Sequence, residues 1–285
     1  MLLVIGKMNT LEFTLLIGIG SFLAGFLGSL TGLGGGVVIV PLLTLVFGID
    51  IRYAIGASLV SVIATSSGAA AAYVREGYSN IRIGMFLEIA TTIGALVGAF
   101  LAGMLATSLI TVIFGLVLLY SAYLAAVPKQ ESIGDGKPDR LATFLRLDGD
   151  YPTATGRQNY HAHGIPGGFS LMFVAGVLSG LLGIGSGAVK VLAMDQIMRL
   201  PFKVSTTTSN FMIGVTAAAS AGVYLSRGYI EPGLVMPVLL GVLAGSLLGA
   251  RVLITAPTKN LRIVFSSVIV ILGVEMILNG ITGNL

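Results

Sequence analysis

The sequence predicts an all-α polytopic membrane protein of two homologous repeats. Each repeat has a glycine-broken, re-entrant helix pair followed by three spanning helices. Three observations lead there. The first is composition: of 285 residues, 55% are hydrophobic and only 10% charged, where a soluble domain carries about 25% charge. Mean hydropathy is +0.98, and apolar runs of roughly 20 residues, the length that crosses a bilayer, recur along the chain. The second is the stretch Gly28-Ser-Leu-Thr-Gly-Leu-Gly-Gly-Gly-Val-Val-Ile-Val-Pro41, which interrupts the first run. Gly32, Gly34, Gly35 and Gly36 do not hold a regular helix, and Pro41 falls in the first turns of any helix that restarts. The third is recurrence: Gly183-Ile-Gly-Ser-Gly-Ala-Val-Lys-Val191 begins 151 positions after Gly32.

The same offset carries Gly34 to Gly185, Gly36 to Gly187, Ser58 to Ser209 and Thr65 to Thr216 without a gap. It also carries Tyr73, Gly77 and Tyr78 to Tyr224, Gly228 and Tyr229, and Gly94 and Gly98 to Gly245 and Gly249. A chain with 40 glycines aligns some of them by chance. The Tyr-x-x-x-Gly-Tyr match is much harder to produce that way. Two repeats follow, residues 1–127 and 168–285, joined by a hydrophilic linker at 128–167.

In order, Leu11 to Leu30 is the first apolar helix, with Glu12 at its start. It runs straight into the glycine loop with no convincing cleavage site, so it reads as part of the mature protein and not as a leader. Val37 to Phe47 is a second helix, too short to span at 1.5 Å per residue. Ile49 to Arg52 turns at the interface. Tyr53 to Val74 spans, and its many Gly, Ala, Ser and Thr residues suit the interior of a bundle. Arg75 to Asn80 is a polar turn; Ile81 to Met104 and Leu109 to Val127 complete the half. The segment from Pro128 to Pro166 is the one long hydrophilic stretch, with ten charged residues, and its amphipathic piece Leu141 to Leu147 suits a membrane surface. Gly168 to Leu182, the short Val189 to Met198, the turn Arg199 to Lys203, then Val204 to Ser226, Pro232 to Ile254 and Leu261 to Asn279 repeat the plan. If each broken pair is re-entrant, each half crosses three times and the halves are inverted. If the pair adds a crossing, they are parallel. The inverted arrangement is the expectation, because it gives alternating access a two-fold basis.

Several chemistries are excluded. There is no Cys, hence no disulfide, thiolate metal site or thiol nucleophile. The two histidines, His161 and His163, lie in the linker, so no nucleophile–base set and no metal site is expected within the spans. No Walker lysine pattern follows Gly34-Gly-Gly36, and a net charge of +4 gives no reason to invoke nucleic acid. No enzyme and no cofactor is expected.

What remains is an anion site. Glycine loops present backbone N–H groups, and the half-helices after them turn their positive ends toward the loop. Gly34, Gly35, Gly36, Gly185, Ser186 and Gly187 are the loop candidates. Ser58, Ser209 and Asn210, on the helix after each half-helix, offer hydroxyl or amide donors that add no charge. Lys190 stands where the first repeat has Ile39, and adds a full positive charge beside the second loop. Glu88 and Glu275 are carboxylates within spans and so candidates for ion coupling. Asp195 and Arg199, four apart on the second half-helix, are expected to pair as a structural or gating couple.

The stretch Gly28 to Leu42, with Ala54-Ile-Gly-Ala-Ser-Leu59, resembles the sulfite exporter TauE/SafE family of membrane transporters. Gly183 to Gly187 and Thr207-Thr-Ser-Asn210 are similar to that family's second repeat. The resemblance covers nearly the whole chain outside the linker, which is unusually long and charged. It implies a multi-pass protein of the inner membrane that moves sulfite, a sulfonate such as sulfoacetate or taurine, or another sulfur-containing anion. Proton coupling, Na⁺ coupling and uniport are all compatible with these residues. A passive anion channel using the same loops is the alternative. Beyond the anion and the lipid bilayer, a second copy of the chain is a plausible partner, given the small-residue helices.

Overall fold

A computed structural model describes residues 9–29, 36–76, 79–126, 139–153, 156–255 and 258–283. In chain order the helices are α1 (Thr10–Ser29), α2 (Gly36–Pro41), α3 (Ile51–Glu76), α4 (Ile81–Ala102) and α5 (Thr107–Ala126). The linker holds α6 (Arg140–Phe144), β1 (Gly149–Thr153) and β2 (Gly156–Tyr160). Then come α7 (Ile165–Leu182), α8 (Gly187–Leu192), α9 (Phe202–Ser226), α10 (Pro232–Thr255) and α11 (Thr258–Thr282).

Two features differ from expectation. The half-helices are not uniform α-helix: α2 continues into π-helical turns at Leu42–Val46, and α8 into π-helical turns at Ala193–Ile197. The widening starts 151 positions apart in the two halves. Pro41 cannot donate to the ladder, and Thr44 returns its hydroxyl to the Val40 carbonyl at 2.8 Å. The second half widens at the same place with Leu192 in the position of Pro41, so proline is not required for it. The chain is also not purely α. The linker folds as α6 followed by an antiparallel hairpin pairing Gly149 with Tyr160 and Thr153 with Gly156. Its hydrophilic composition hid the buried Tyr151 and Tyr160 that pin the hairpin down.

Among the described residues, four helices are long and apolar enough to cross a bilayer: Leu11–Gly28, Ile81–Ala102, Ile165–Leu182 and Pro232–Gly249. Their outward faces carry Leu15, Leu23, Met85, Phe100, Leu240 and Leu247, all exposed. Such a surface is stable against hydrocarbon and not against water.

The principal pairings are α1 with α10, α4 with α7, α3 with α9 and α5 with α11. Glycines set the closeness of the first two. A Cβ at Gly176 or Gly180 would collide with the carbonyl of Thr91 or Ala95, and one at Gly94 or Gly98 with that of Phe173 or Val177. A Cβ at Gly25 would lie 2.5 Å from the Val242 carbonyl, and one at Gly245 would strike that of Phe22. In both seams the helices run in the same direction. The other two pairings run oppositely: Gly56 faces Tyr229 while Gly214 faces Ser66, and Gly115 faces Gly273 while Gly280 faces Ser108.

Two apolar cores result. The larger gathers Ile39, Leu43, Ile55, Leu59, Phe114, Tyr224 and Val238. The smaller ties the linker to the bundle: Ala142, Leu147, Tyr151, Tyr160 and Ala162 pack with Ile83, Leu87, Met172, Met194, Met198 and Met212. Asn80, the N-cap of α4, accepts from the Ile83 N–H at 3.1 Å and donates to the Tyr160 hydroxyl at 2.7 Å. The hairpin therefore sits over the N-terminal ends of α4 and α7 and the far end of the second half-helix.

Candidate functional site

The second glycine loop is a run of left-handed backbone. Gly183 ends α7 at φ 67° and returns its N–H to the Ser179 carbonyl at 2.8 Å. Gly185 follows at φ 71° and Ser186 at φ 48°. Three left-handed residues in four reverse the chain within a buried space, and glycine supplies two of them without a Cβ penalty. The loop is held from both halves. Ser58 of α3 donates to the Gly183 carbonyl at 2.8 Å. Tyr224 of α9 places its hydroxyl 3.2 Å from the Gly180 carbonyl and 3.3 Å from that of Leu181. Gly36, first residue of α2, lies against Ser58 and the Gly183 carbonyl, so close that a Cβ there would come within 2.6 Å of the Ser58 hydroxyl. The start of the first half-helix thus meets the loop of the second. Gly34 and Gly35 lie outside the described residues.

Gly185 and Gly187 face Ile213 of α9, and the Ser209 hydroxyl lies 3.4 Å from the Gly187 carbonyl. The Ser186 hydroxyl is buried with no hydrogen-bond partner among the described residues. Asn210 is half-buried, one position beyond Ser209.

Lys190, one turn into α8, is completely buried. Its ammonium donates to the Thr216 hydroxyl of α9 at 2.5 Å. That hydroxyl lies 2.7 Å from Glu88 Oε1 on α4 and 2.9 Å from the Met212 carbonyl. Thr92 also donates to Glu88 Oε1, at 3.2 Å. Glu88 Oε2 is buried and unpartnered. Lys190 and Glu88 are therefore joined through one hydroxyl, and both are buried. A buried charge without full compensation is expensive, and membrane proteins keep such groups where they serve ions or substrates.

The remaining candidates fall elsewhere. Asp195 is buried, but its carboxylate accepts from Gln196 at 2.8 Å and does not pair with Arg199. The expected couple fails because Ala193–Ile197 is π-helical and Arg199 stands beyond it, exposed, at φ 53°. The i to i+4 geometry of an α-helix does not exist there. Glu275 is exposed on α11, away from this cluster.

Sequence reading missed three contributors. Thr216 was one hydroxyl among many, and Tyr224 stood out only as part of the repeat. The third is a pair of arginines at the C-terminal end of α4. Arg52 donates to the carbonyls of Ala102 and Leu105 at 3.2 and 2.8 Å, and Arg227 to those of Ala99 and Phe100 at 3.2 and 3.1 Å. Each satisfies carbonyls that the helix end leaves open and complements its negative pole.

Comparison with known proteins bears on what such a site serves. A family model described as "Sulfite exporter TauE/SafE" matches residues 17–276. The chain is similar to the "Probable membrane transporter protein YunE" of Bacillus subtilis, 28% identical over 279 residues, covering 95% of this chain and 99% of that one. It is similar to the "Probable membrane transporter protein MJ0441" of Methanocaldococcus jannaschii, 26% identical over 280 residues, covering 93% and 95%. A third relative, the "Probable membrane transporter protein YdhB" of Bacillus subtilis, is 28% identical over 235 residues, covering 81% and 86%. No solved structure matches the chain.

Proposed function

The chain belongs to the sulfite exporter TauE/SafE family of membrane transporters, and from that premise we propose that it moves a sulfur-containing oxyanion, sulfite or an organosulfonate, across the cytoplasmic membrane by alternating access. The observation that carries the reading is Lys190: a fully buried cation just past a left-handed glycine loop, with no carboxylate of the described residues in direct contact. The unused Ser186 hydroxyl adds a neutral donor beside it. A sulfite or sulfonate group offers three acceptor oxygens and a negative charge, which a lone ammonium, a hydroxyl and loop N–H groups satisfy.

The alternating-access part rests on the pairing of the halves. The repeat offset relates α3 to α9 and α5 to α11, and these pairs run antiparallel. Equivalent helices that meet antiparallel are what a two-fold axis in the membrane plane generates, and this supports inverted repeats. The offset also exchanges the α1–α10 seam with the α7–α4 seam. An anion that crosses alone gains about 2.3 kcal/mol per charge per 100 mV toward export from a negative-inside potential, whereas an anion that crosses with a compensating cation gains nothing from it.

The test is flux into proteoliposomes of labelled sulfite, sulfoacetate, taurine, sulfate and thiosulfate, with Lys190→Ala alongside. We expect saturable flux and counterflow of at least one sulfur anion, and at least a ten-fold loss in the variant. Flux without counterflow would identify a channel, and absence of flux for every anion would remove the substrate claim.

A further inference from the structure

The Thr216 hydroxyl has one hydrogen and two acceptors. It receives the Lys190 ammonium at 2.5 Å, and it can give its own hydrogen to Glu88 Oε1 at 2.7 Å or to the Met212 carbonyl at 2.9 Å. A hydroxyl rotor so placed has two states, and which one it takes depends on whether Glu88 needs a donor. An ionised Glu88 draws the hydrogen to itself. A protonated Glu88 needs one donor fewer, and the Thr216 hydrogen is free to turn to Met212. The acid has room for its proton at Oε2, which is buried and bonded to nothing.

The charge bookkeeping is tight. Around this cluster α7 contributes no charged side chain, and α9 contributes only Lys203, exposed in its first turn. On α4 the other charge is Arg82, exposed at the helix start. On the second half-helix the other charge is Asp195, engaged with Gln196. With no anion bound, Glu88 and Lys190 sum to zero. An anion added beside Lys190 leaves the buried region one charge negative unless a proton enters with it, and an unbalanced charge at this depth is strongly disfavoured.

We infer that Glu88 is the built-in counter-ion of Lys190, released through Thr216, so that each anion binds together with one proton taken on Glu88. Resting on the transporter reading above, this makes the protein an electroneutral proton–anion symporter for monovalent anions. The step balances: a proton from the side of anion arrival forms an O–H bond at Glu88 Oε2, the anion replaces the carboxylate as the partner of Lys190, and proton and anion leave together on the other side. The pair has no offset-related counterpart, because the offset places Ile39 opposite Lys190 and Leu239 opposite Glu88. One coupled site per chain follows.

The experiment uses the full chain in proteoliposomes with a pH-sensitive dye inside. Sulfite, sulfoacetate and methanesulfonate are applied as inward gradients, and methanesulfonate does not itself titrate near neutrality. We expect every transported anion to carry protons, with a ratio near one for monovalent methanesulfonate and no flux-driven membrane potential. Glu88→Gln should carry anion without protons, lowering the proton-to-anion ratio at least ten-fold. Thr216→Val, which keeps the shape and removes the rotor, should slow both movements together while leaving their ratio at one. Wild-type flux of an anion with no accompanying proton movement overturns the coupling and leaves the transporter reading standing. Absence of anion flux in the wild type overturns both. If Glu88→Gln does not fold, the wild-type ratio decides alone.

Discussion

Lys190 and Glu88 are two buried charges joined by one hydroxyl, and each is costly without the other. Lys190→Met should lower the stability of the purified protein by about 3 kcal/mol, the scale of breaking a buried charge pair. Lys190→Met with Glu88→Leu should recover most of it. A thermal melt of the two single variants and the double closes the cycle, and additive losses would show that the charges do not interact. At the second loop, Gly185→Ala should cost about 1–2 kcal/mol from its left-handed backbone, before counting Ile213, which a Cβ would approach within 2.8 Å. Lys190 was legible in the sequence because it breaks the repeat. Its partnership with Glu88 was not: the two lie in different halves, and Glu88 looked like any carboxylate in a span. Thr216 was hidden among Ser and Thr residues that mostly bond their own helix, as Thr206 does to the Phe202 carbonyl.

The helices themselves were readable from hydropathy, and their bounds moved by only a few residues. In the sequence Gly94 and Gly98 stood out as repeat matches; the structure makes them, with Gly176 and Gly180, the seam between α4 and α7. Gly176→Leu should prevent the α4–α7 approach, lower the melting temperature and raise the aggregated fraction on size-exclusion chromatography. Gly222→Leu, on α9 with open space around the site, should do neither. The hairpin was not readable, because alternation over five residues is a weak signal inside a hydrophilic, charge-bearing linker. Its anchor is testable by pH. Burial pushes the Tyr160 phenol up to about 12 from the usual 10.0, against the lowering effect of its Asn80 hydrogen bond. The folded pKa lies above the unfolded one, so this contribution is whole below pH 10 and is lost as pH climbs from 10 to 12. Tyr160→Phe should flatten stability across that window.

For the molecule as a whole, the absence of Cys makes topology directly measurable. Arg82 and Gly233 are repeat equivalents at the exposed starts of α4 and α10. Inverted repeats require that single cysteines at these two positions react with a membrane-impermeant maleimide from opposite sides. Reaction from the same side would mean parallel halves. The proposed two-fold plan rests on an offset of 151 that never slips over the aligned stretch. The linker hairpin packs against residues on both sides of it in sequence, Ile83 and Leu87 before it and Met172 and Met198 after it.

The four carbonyls held by Arg52 and Arg227 give α4 an anchored end, while Glu88 rides less than two turns from its other end. Separating Glu88 from Lys190 by sliding the helix would break four charge-assisted hydrogen bonds at once. Swinging it keeps them. The arginines then act as a fulcrum, α4 becomes a lever, and a rotation of a few degrees at the pinned end is magnified along some fifteen residues into ångströms of travel at the carboxylate.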